Sequence, residues 1–148
     1  MAGQITTHGT LTFLQSFFGK RPDLIPNQLW IALIAEEEPS VMSTGTDIDE
    51  IDSVTYPSYQ RAQFQNIPSN WVVSGYESIY NAQAIEFSAA NEPWGVVTYF
   101  GICTTMTGGA LLAYGELATS QDIIEGDSIQ IDIGGISFTI FNPAYEGD

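Results

Sequence analysis

The segment from Trp94 to Leu117, WGVVTYFGICTTMTGGALLAYGEL, carries one charged residue, Glu116, in a chain with a formal net charge of −15. Its β-branched and aromatic residues are typical of strands, and the TTMTGG stretch between them is typical of a turn. Both faces of the first strand carry apolar side chains, whereas a half-buried strand alternates apolar and polar residues. This strand is therefore predicted to be covered on both faces, with a neighbouring subunit supplying the second cover.

The charge balance limits the partners of the chain. Its 148 residues are the length of one domain, residues 1–148, and they include 18 acidic and 3 basic side chains. Such a surface repels phosphate, so neither nucleic acid nor an anionic membrane is an expected partner. The N-terminal residues show no secretory signal, and the single cysteine, Cys103, cannot form an intrachain disulfide. We expect synthesis in a cytoplasm.

An N-terminal helix over residues 7–18 is predicted by the spacing of Leu11, Leu14 and Phe18, with Gly19 following it. Residues 29–36 form a nearly continuous apolar run, which is typical of a buried strand. The next segment, residues 36–58, holds seven acidic residues and is predicted to be a loop. Shorter strands are predicted at residues 59–64, 71–75 and 81–88.

A second hairpin is predicted near the C-terminus. The isoleucines in SIQIDIGGISFTIF alternate with polar residues on both sides of Gly134-Gly135. A two-residue turn there would pair Ile133 with Ile136 and Ile129 with Ile140. The number of short strands indicates an all-β fold: an antiparallel β-sandwich of the jelly-roll or Greek-key kind, with one N-terminal α-helix. A closed barrel is the nearest alternative.

No residue pattern indicates catalysis, a metal site or a cofactor. A Cys103–His8 nucleophile pair lacks any local catalytic motif, and these two residues alone cannot complete a zinc site. The DIDEID stretch resembles half of a calcium loop. However, Asp52 and Ser58 stand where an EF-hand requires glycine and glutamate, so a solvated acidic loop is favoured over a weak divalent-ion site.

Arg61 is the one cation within a predicted strand. Two roles are open for it. Its guanidinium could form a structural ion pair within the chain, with its aliphatic stem along apolar surface, or it could pair with a carboxylate of another subunit.

Several short motifs follow one another in a fixed order along the chain. They are PNQLWIAL at residues 26–33, YQR at 59–61, Asn81-Ala82 with IEF at 85–87, WGVVTYFGI at 94–102, TGGALL at 107–112 and Gly126-Asp127. In this order they resemble a family of small tailed-bacteriophage virion proteins, described as tail-fibre or minor structural proteins. The acidic loop over residues 36–58 and the stretch between Asn66 and Tyr80 are longer than in that family.

The resemblance implies a non-enzymatic virion structural protein that works as a homo-oligomer, with three copies expected. Since the negative charge keeps it away from packaged DNA, we expect it to decorate or cement the outer face of the capsid, in contact with the major capsid protein or other virion proteins. The expected oligomer or virion interface comprises Phe13, Phe17, Phe18, Tyr99, Phe100, Ile102, Leu111 and Tyr114.

Two alternatives remain open. The first is a tail-fibre or baseplate component. The second is a carbohydrate-binding module, for which Trp71 is the candidate exposed aromatic residue, while Trp30 and Trp94 lie in apolar surroundings typical of a core.

Overall fold

The computed structural model describes residues 3–19, 21–75 and 78–139. This part of the chain forms ten strands and one α-helix, and every pairing between two strands is antiparallel. The elements are β1 (Gln4–Ile5), α1 (Thr7–Phe17), β2 (Gln28–Ile34), β3 (Ala62–Gln65), β4 (Trp71–Ser74), β5 (Ser78–Asn81), β6 (Ile85–Glu86), β7 (Gly95–Cys103), β8 (Leu111–Ile123), β9 (Gln130–Ile131) and β10 (Ser137–Thr139).

The largest sheet has the strand order β1-β8-β7-β2-β3. It is open, with β1 and β3 at its edges, so the barrel alternative is wrong. Two smaller sheets, β10-β5-β4 and β6-β9, pack against one face of it. The Phe100 ring on β7 meets the Phe138 ring on β10 edge to face, with 6.4 Å between their centroids. The predicted all-β, sandwich-like fold with one N-terminal helix is confirmed.

Most of the apolar residues of β7, on both of its faces, are buried by the chain itself. A register shift between Val97 and Tyr99 breaks the simple alternation, so Val97 joins Phe100 in the main core while Val96 remains exposed. Cys103 belongs to a second buried cluster. The expectation that a neighbouring subunit covers the second face is therefore wrong at these positions.

The second cluster consists of Ala32, Cys103, Leu111 and Tyr114, and Ile48 from the acidic loop packs against it. The loop is held beside the end of β2 by backbone hydrogen bonds. Ala35 N–H donates to Asp49 O over 2.8 Å, and Ile51 N–H donates to Leu33 O over 3.1 Å. The acidic loop is thus an internal cover for the sheet.

The predicted C-terminal hairpin is not formed. The residues before the glycine pair, in β9, bind β6, and the residues after it, in β10, bind β5. Ile133 is exposed rather than paired with Ile136, and Ile140 lies outside the described residues. Of the described isoleucines in this stretch, only Ile131 lies in a strand, β9, whereas Ile129, Ile133 and Ile136 lie outside the strands. The predicted pairing across the turn is therefore wrong.

The buried side chain of Asn81 explains this pairing. Its Oδ1 accepts the Ile136 N–H at 2.9 Å, and its Nδ2 donates to Asp132 O at 3.0 Å and to Gln83 O at 2.8 Å. The Asn81 backbone adds bonds to Gly134 N–H and to Ile136 O. Asn81 therefore binds backbone groups of residues 132–136 that a hairpin across the glycine turn would use for its own hydrogen bonds.

We expect Asn81→Ala to lower the free energy of unfolding by about 2–4 kcal/mol, because it leaves buried donors and acceptors without partners. Urea titration followed by tryptophan fluorescence measures the change. Asn91→Ala, at an exposed position, is the matched control and should leave the urea midpoint unchanged. Equal midpoints for the two variants would contradict the role given to Asn81.

Candidate functional site

Half of the predicted interface is core. Phe100, Ile102, Leu111 and Tyr114 are all buried in the chain's own fold, and of the four Ile102 also lines a groove beside α1. Tyr99 is half-buried. The prediction is wrong for Phe100, Leu111 and Tyr114, because the register shift in β7 and the acidic loop provide cover that the sequence pattern does not reveal.

The remaining predicted residues, Phe13, Phe17 and Phe18, lie at the outer side of α1. Phe17 is 69% exposed and Phe18 is 71% exposed. The Phe13 and Phe17 rings stack with centroids 5.9 Å apart, and Phe18 meets Phe17 edge to face at 4.7 Å. Three aromatic rings in contact with one another and with solvent form an apolar patch of the kind that marks an interaction site.

The start of α1 is fixed to the large sheet by Thr6. The buried Thr6 hydroxyl accepts the Gly9 N–H at 3.0 Å and caps the helix, and it also bonds to the carbonyl oxygens of Leu111 and Leu112. The Thr6 N–H donates to Leu112 O over 3.0 Å. The helix is thereby anchored to β8 through its first turn.

Gly9 is the only buried residue of α1. A side chain at this position would collide with the Leu112 carbonyl oxygen, so only glycine permits this close approach between helix and strand. Because the contact is made by a glycine, the large apolar side chains of α1 remain exposed: Leu11, Phe13, Leu14 and Phe17.

A groove of about 620 Å³ lies along one side of α1. The helix forms one wall, and β4 and β5 contribute to the opposite one. None of the described residues that line the groove is charged. They are Ile5, Gly9, Thr12, Phe13, Ser16, Phe17, Ile25, Pro26, Leu29, Asn66, Trp71, Val73, Ser78, Ile79, Ile102, Leu112, Ala113 and Phe138.

A smaller hollow of about 410 Å³ lies on the other side of α1, lined by Ile5, Thr7, Thr10, Leu11, Leu14 and Val41. The helix is therefore an apolar ridge between two uncharged hollows. We call the ridge and the larger groove together the α1 surface.

Arg61 is buried directly before β3 and uses all five of its N–H donors. Two of them bind the Glu50 carboxylate at 2.8 Å each. The other three bind the carbonyl oxygens of Gly45, Thr105 and Gly108 at 2.9 Å each. Of the two roles open for Arg61, the structure shows the ion pair within the chain.

Glu50 also accepts a hydrogen bond from the Tyr59 hydroxyl at 2.5 Å, and that hydroxyl in turn accepts the Leu33 N–H. Burial, the negative charge of Glu50 and this hydrogen bond raise the pKa of Tyr59 well above its ordinary value. For Arg61, burial alone would lower the pKa, but the hydrogen bonds to Glu50 and nearby negative groups raise it. The cluster joins the acidic loop, β2 and the β7–β8 turn.

We expect Arg61→Met to lower the free energy of unfolding by about 3–5 kcal/mol, since it leaves the Glu50 carboxylate and three carbonyl oxygens without the hydrogen-bond donors of the guanidinium. Arg21→Met is the matched control, because Arg21 forms an exposed ion pair with Asp23. Thermal denaturation followed by circular dichroism should show a large drop in Tm for the first variant and an unchanged Tm for the second. A similar Tm for both would refute the structural role of Arg61.

The carboxylates of the acidic loop bind the loop's own polar groups. Asp49 Oδ2 accepts the N–H groups of Glu36 and Glu37, and Asp52 accepts those of Val54 and the Thr55 hydroxyl. Within the ranges that the structure describes, no three side chains of His, Cys, Asp or Glu form a group that could hold a metal ion.

The candidate nucleophile pair is not assembled. Cys103 is buried in the second cluster, whereas His8 is exposed on α1. Burial, opposed by Arg61 and assisted by Glu50, raises the pKa of Cys103 from 9.0 to about 11. The thiol is therefore protonated and inaccessible near neutral pH.

Because the folded protein holds this thiol protonated, the linked stabilisation is fully present below the pKa of the unfolded thiol, about 8.5, and is lost as the pH rises toward 11. Thiolate ultraviolet absorbance should give a midpoint near 11 for the native chain and about 8.5 for the chain in urea. Cys103→Ala should reduce the loss of stability over this range, whereas His8→Ala should not. A native midpoint equal to that of the unfolded chain would contradict the burial argument.

Trp71 is half-buried rather than free for stacking on a sugar. Its indole N–H donates to Asn66 Oδ1 at 2.9 Å, and its ring packs edge to face on Phe64 at 5.3 Å. Trp94 is buried against Tyr59, and Trp30 packs on the second cluster. The expectation of an exposed Trp71 is wrong, while the core placement of Trp94 is confirmed.

Comparison with known families identifies the family of the chain. A family model described as podophage GP4 fiber I protein gp80 matches residues 4–139, which include α1, Arg61 and strands of all three sheets. The chain belongs to this family. It is thus a phage virion structural protein of the fibre type, and the resemblance seen in the order of its motifs is confirmed.

No curated protein matches the sequence. Within the described ranges, no helix combines the length and the hydropathy needed to cross a membrane.

Proposed function

We propose that this protein is a non-enzymatic component of a podophage tail fibre and that it works as a homo-oligomer of three copies. The observation that carries the proposal is the fibre family match over residues 4–139. The exposed aromatic ridge of α1 supports the oligomeric part, since a stable monomer rarely leaves such a patch in water.

The fibre assignment replaces capsid decoration as the favoured location. The net charge of −15 argues that the protein stays away from packaged DNA, and both a fibre and the outer face of a capsid meet that condition. The charge therefore does not separate the two sites. The family description names a fibre, so it favours the tail.

A structural role agrees with the contacts that several ionisable side chains make within the fold. Glu50, Tyr59 and Arg61 bind one another and nearby backbone groups, and Cys103 is buried. The described lining of the α1 groove contains no ionisable group that could act as a general acid or base. We therefore assign no reaction, cofactor or metal to this chain.

Immunogold electron microscopy of intact virions, with antibodies raised against the purified chain, tests the location. Gold is expected on the tail fibres, and heads and tails separated after disruption should carry the protein in the tail fraction. A pre-immune serum is the control. Label on the capsid faces, with the protein in the head fraction, would overturn the fibre assignment in favour of capsid decoration.

A further inference from the structure

Charge is distributed unevenly over the protein. Residues 3–19 contain no Asp, Glu, Lys or Arg, and the described lining of the groove beside α1 is equally uncharged. The acidic residues lie elsewhere, with seven of the 18 in residues 36–58. The next charges after α1 in the described chain, Arg21 and Asp23, neutralise each other in an ion pair of 3.1 Å.

This distribution limits where two copies can meet. Each copy carries a formal net charge of −15. Like charges that face each other across an interface weaken the binding free energy by several kcal/mol. Screening over about 8 Å at physiological salt weakens repulsion between distant parts but not between groups in contact. Close contact between copies is therefore favoured where carboxylates are missing, and the α1 surface meets that requirement.

The shape of the α1 surface also suits a second copy. An α-helix with its side chains is about 10–12 Å wide, and here it projects as a ridge beside a groove of about 620 Å³. Val73 and Ile25, which line the groove, are exposed, as are Leu14 and Phe18 on the ridge. Each copy thus presents an apolar projection and an apolar recess of similar character.

We infer that the α1 ridge of one copy packs into the groove between α1 and β4–β5 of a second copy, which makes this surface the contact that assembles the oligomer. The inference rests on the proposed function, which requires several copies. Phe13 and Phe17 belong both to the ridge and to the lining of the groove, so the two patches adjoin. In the three-copy assembly of the proposed function, the ridge of each copy enters the groove of the next, and this head-to-tail contact closes into a ring.

A partner with a basic surface is disfavoured, because the described residues of the α1 surface offer it no carboxylate to pair with. The alternatives are an uncharged surface of another virion protein and an apolar part of this chain outside the described residues. Each predicts a different result in the following experiment.

The test compares Phe17→Ser/Phe18→Ser with Val54→Ser/Ile124→Ser. The control pair replaces apolar residues that are 85% and 57% exposed and that line neither hollow beside α1. Native mass spectrometry and sedimentation equilibrium of the full chain should give three times 16.1 kDa for the wild type and for the control. The α1 variant should associate at least about 30-fold more weakly, as expected for loss of central aromatic contacts. Circular dichroism should show equal helix content in all three proteins.

Salt gives a second readout. Contact between two anionic bodies through an uncharged surface should strengthen several-fold as NaCl rises from about 0.05 M to about 0.5 M, since screening reduces repulsion. An interface held by ion pairs would weaken instead, and that result would overturn the inference.

Three further outcomes would also overturn it. An α1 variant that keeps the wild-type mass excludes this surface as the contact. A wild type that is a single copy, together with an α1 variant that no longer enters virions, assigns the surface to another virion protein. A wild type that is a single copy, with normal incorporation of the variant, assigns the groove to the chain's own remaining residues. None of these outcomes alters the immunogold result, so the fibre assignment is judged separately.

Discussion

The five hydrogen bonds of the Arg61 guanidinium hold the acidic loop and the β7–β8 turn to the large sheet. In a chain with so few cations, this buried one offsets the cost of folding a carboxylate-rich loop over an apolar strand. With the loop in place, Ile48 covers the cluster around Cys103. The largest sheet is therefore sheltered by its own chain.

Because the chain covers its own sheet, the surface available for assembly lies on the helix α1 and not on the sheet. A doubly apolar strand suggested a missing neighbour, but the acidic loop supplies that cover. The exposed apolar surface is instead on α1, where the glycine contact with β8 leaves the phenylalanines facing outward. An oligomer remains our proposal, with a different surface as its basis.

Local patterns in the sequence predicted the helix and most of the strands, because hydrophobic period and turn residues are properties of neighbouring positions. They failed where a distant residue decided the outcome. Asn81 directs residues on either side of Gly134 to different sheets, and no spacing in the sequence marks a buried asparagine.

For the candidate site, the two-residue alternation of apolar and polar side chains could not show that Phe100 is buried. A register shift between paired strands changes which face a residue occupies, and the sequence of one strand does not reveal it. The exposure of Phe17 and Phe18 agrees with their predicted place in an interface, and that role remains a prediction.

Burial of Cys103 has a consequence for a particle that persists outside its host. The protein contains one sulfhydryl group, and it is enclosed between strands and the acidic loop. Oxygen and other mild oxidants attack thiolates that they can reach. Adjacent molecules in the assembled virion therefore do not become covalently cross-linked with age through this residue.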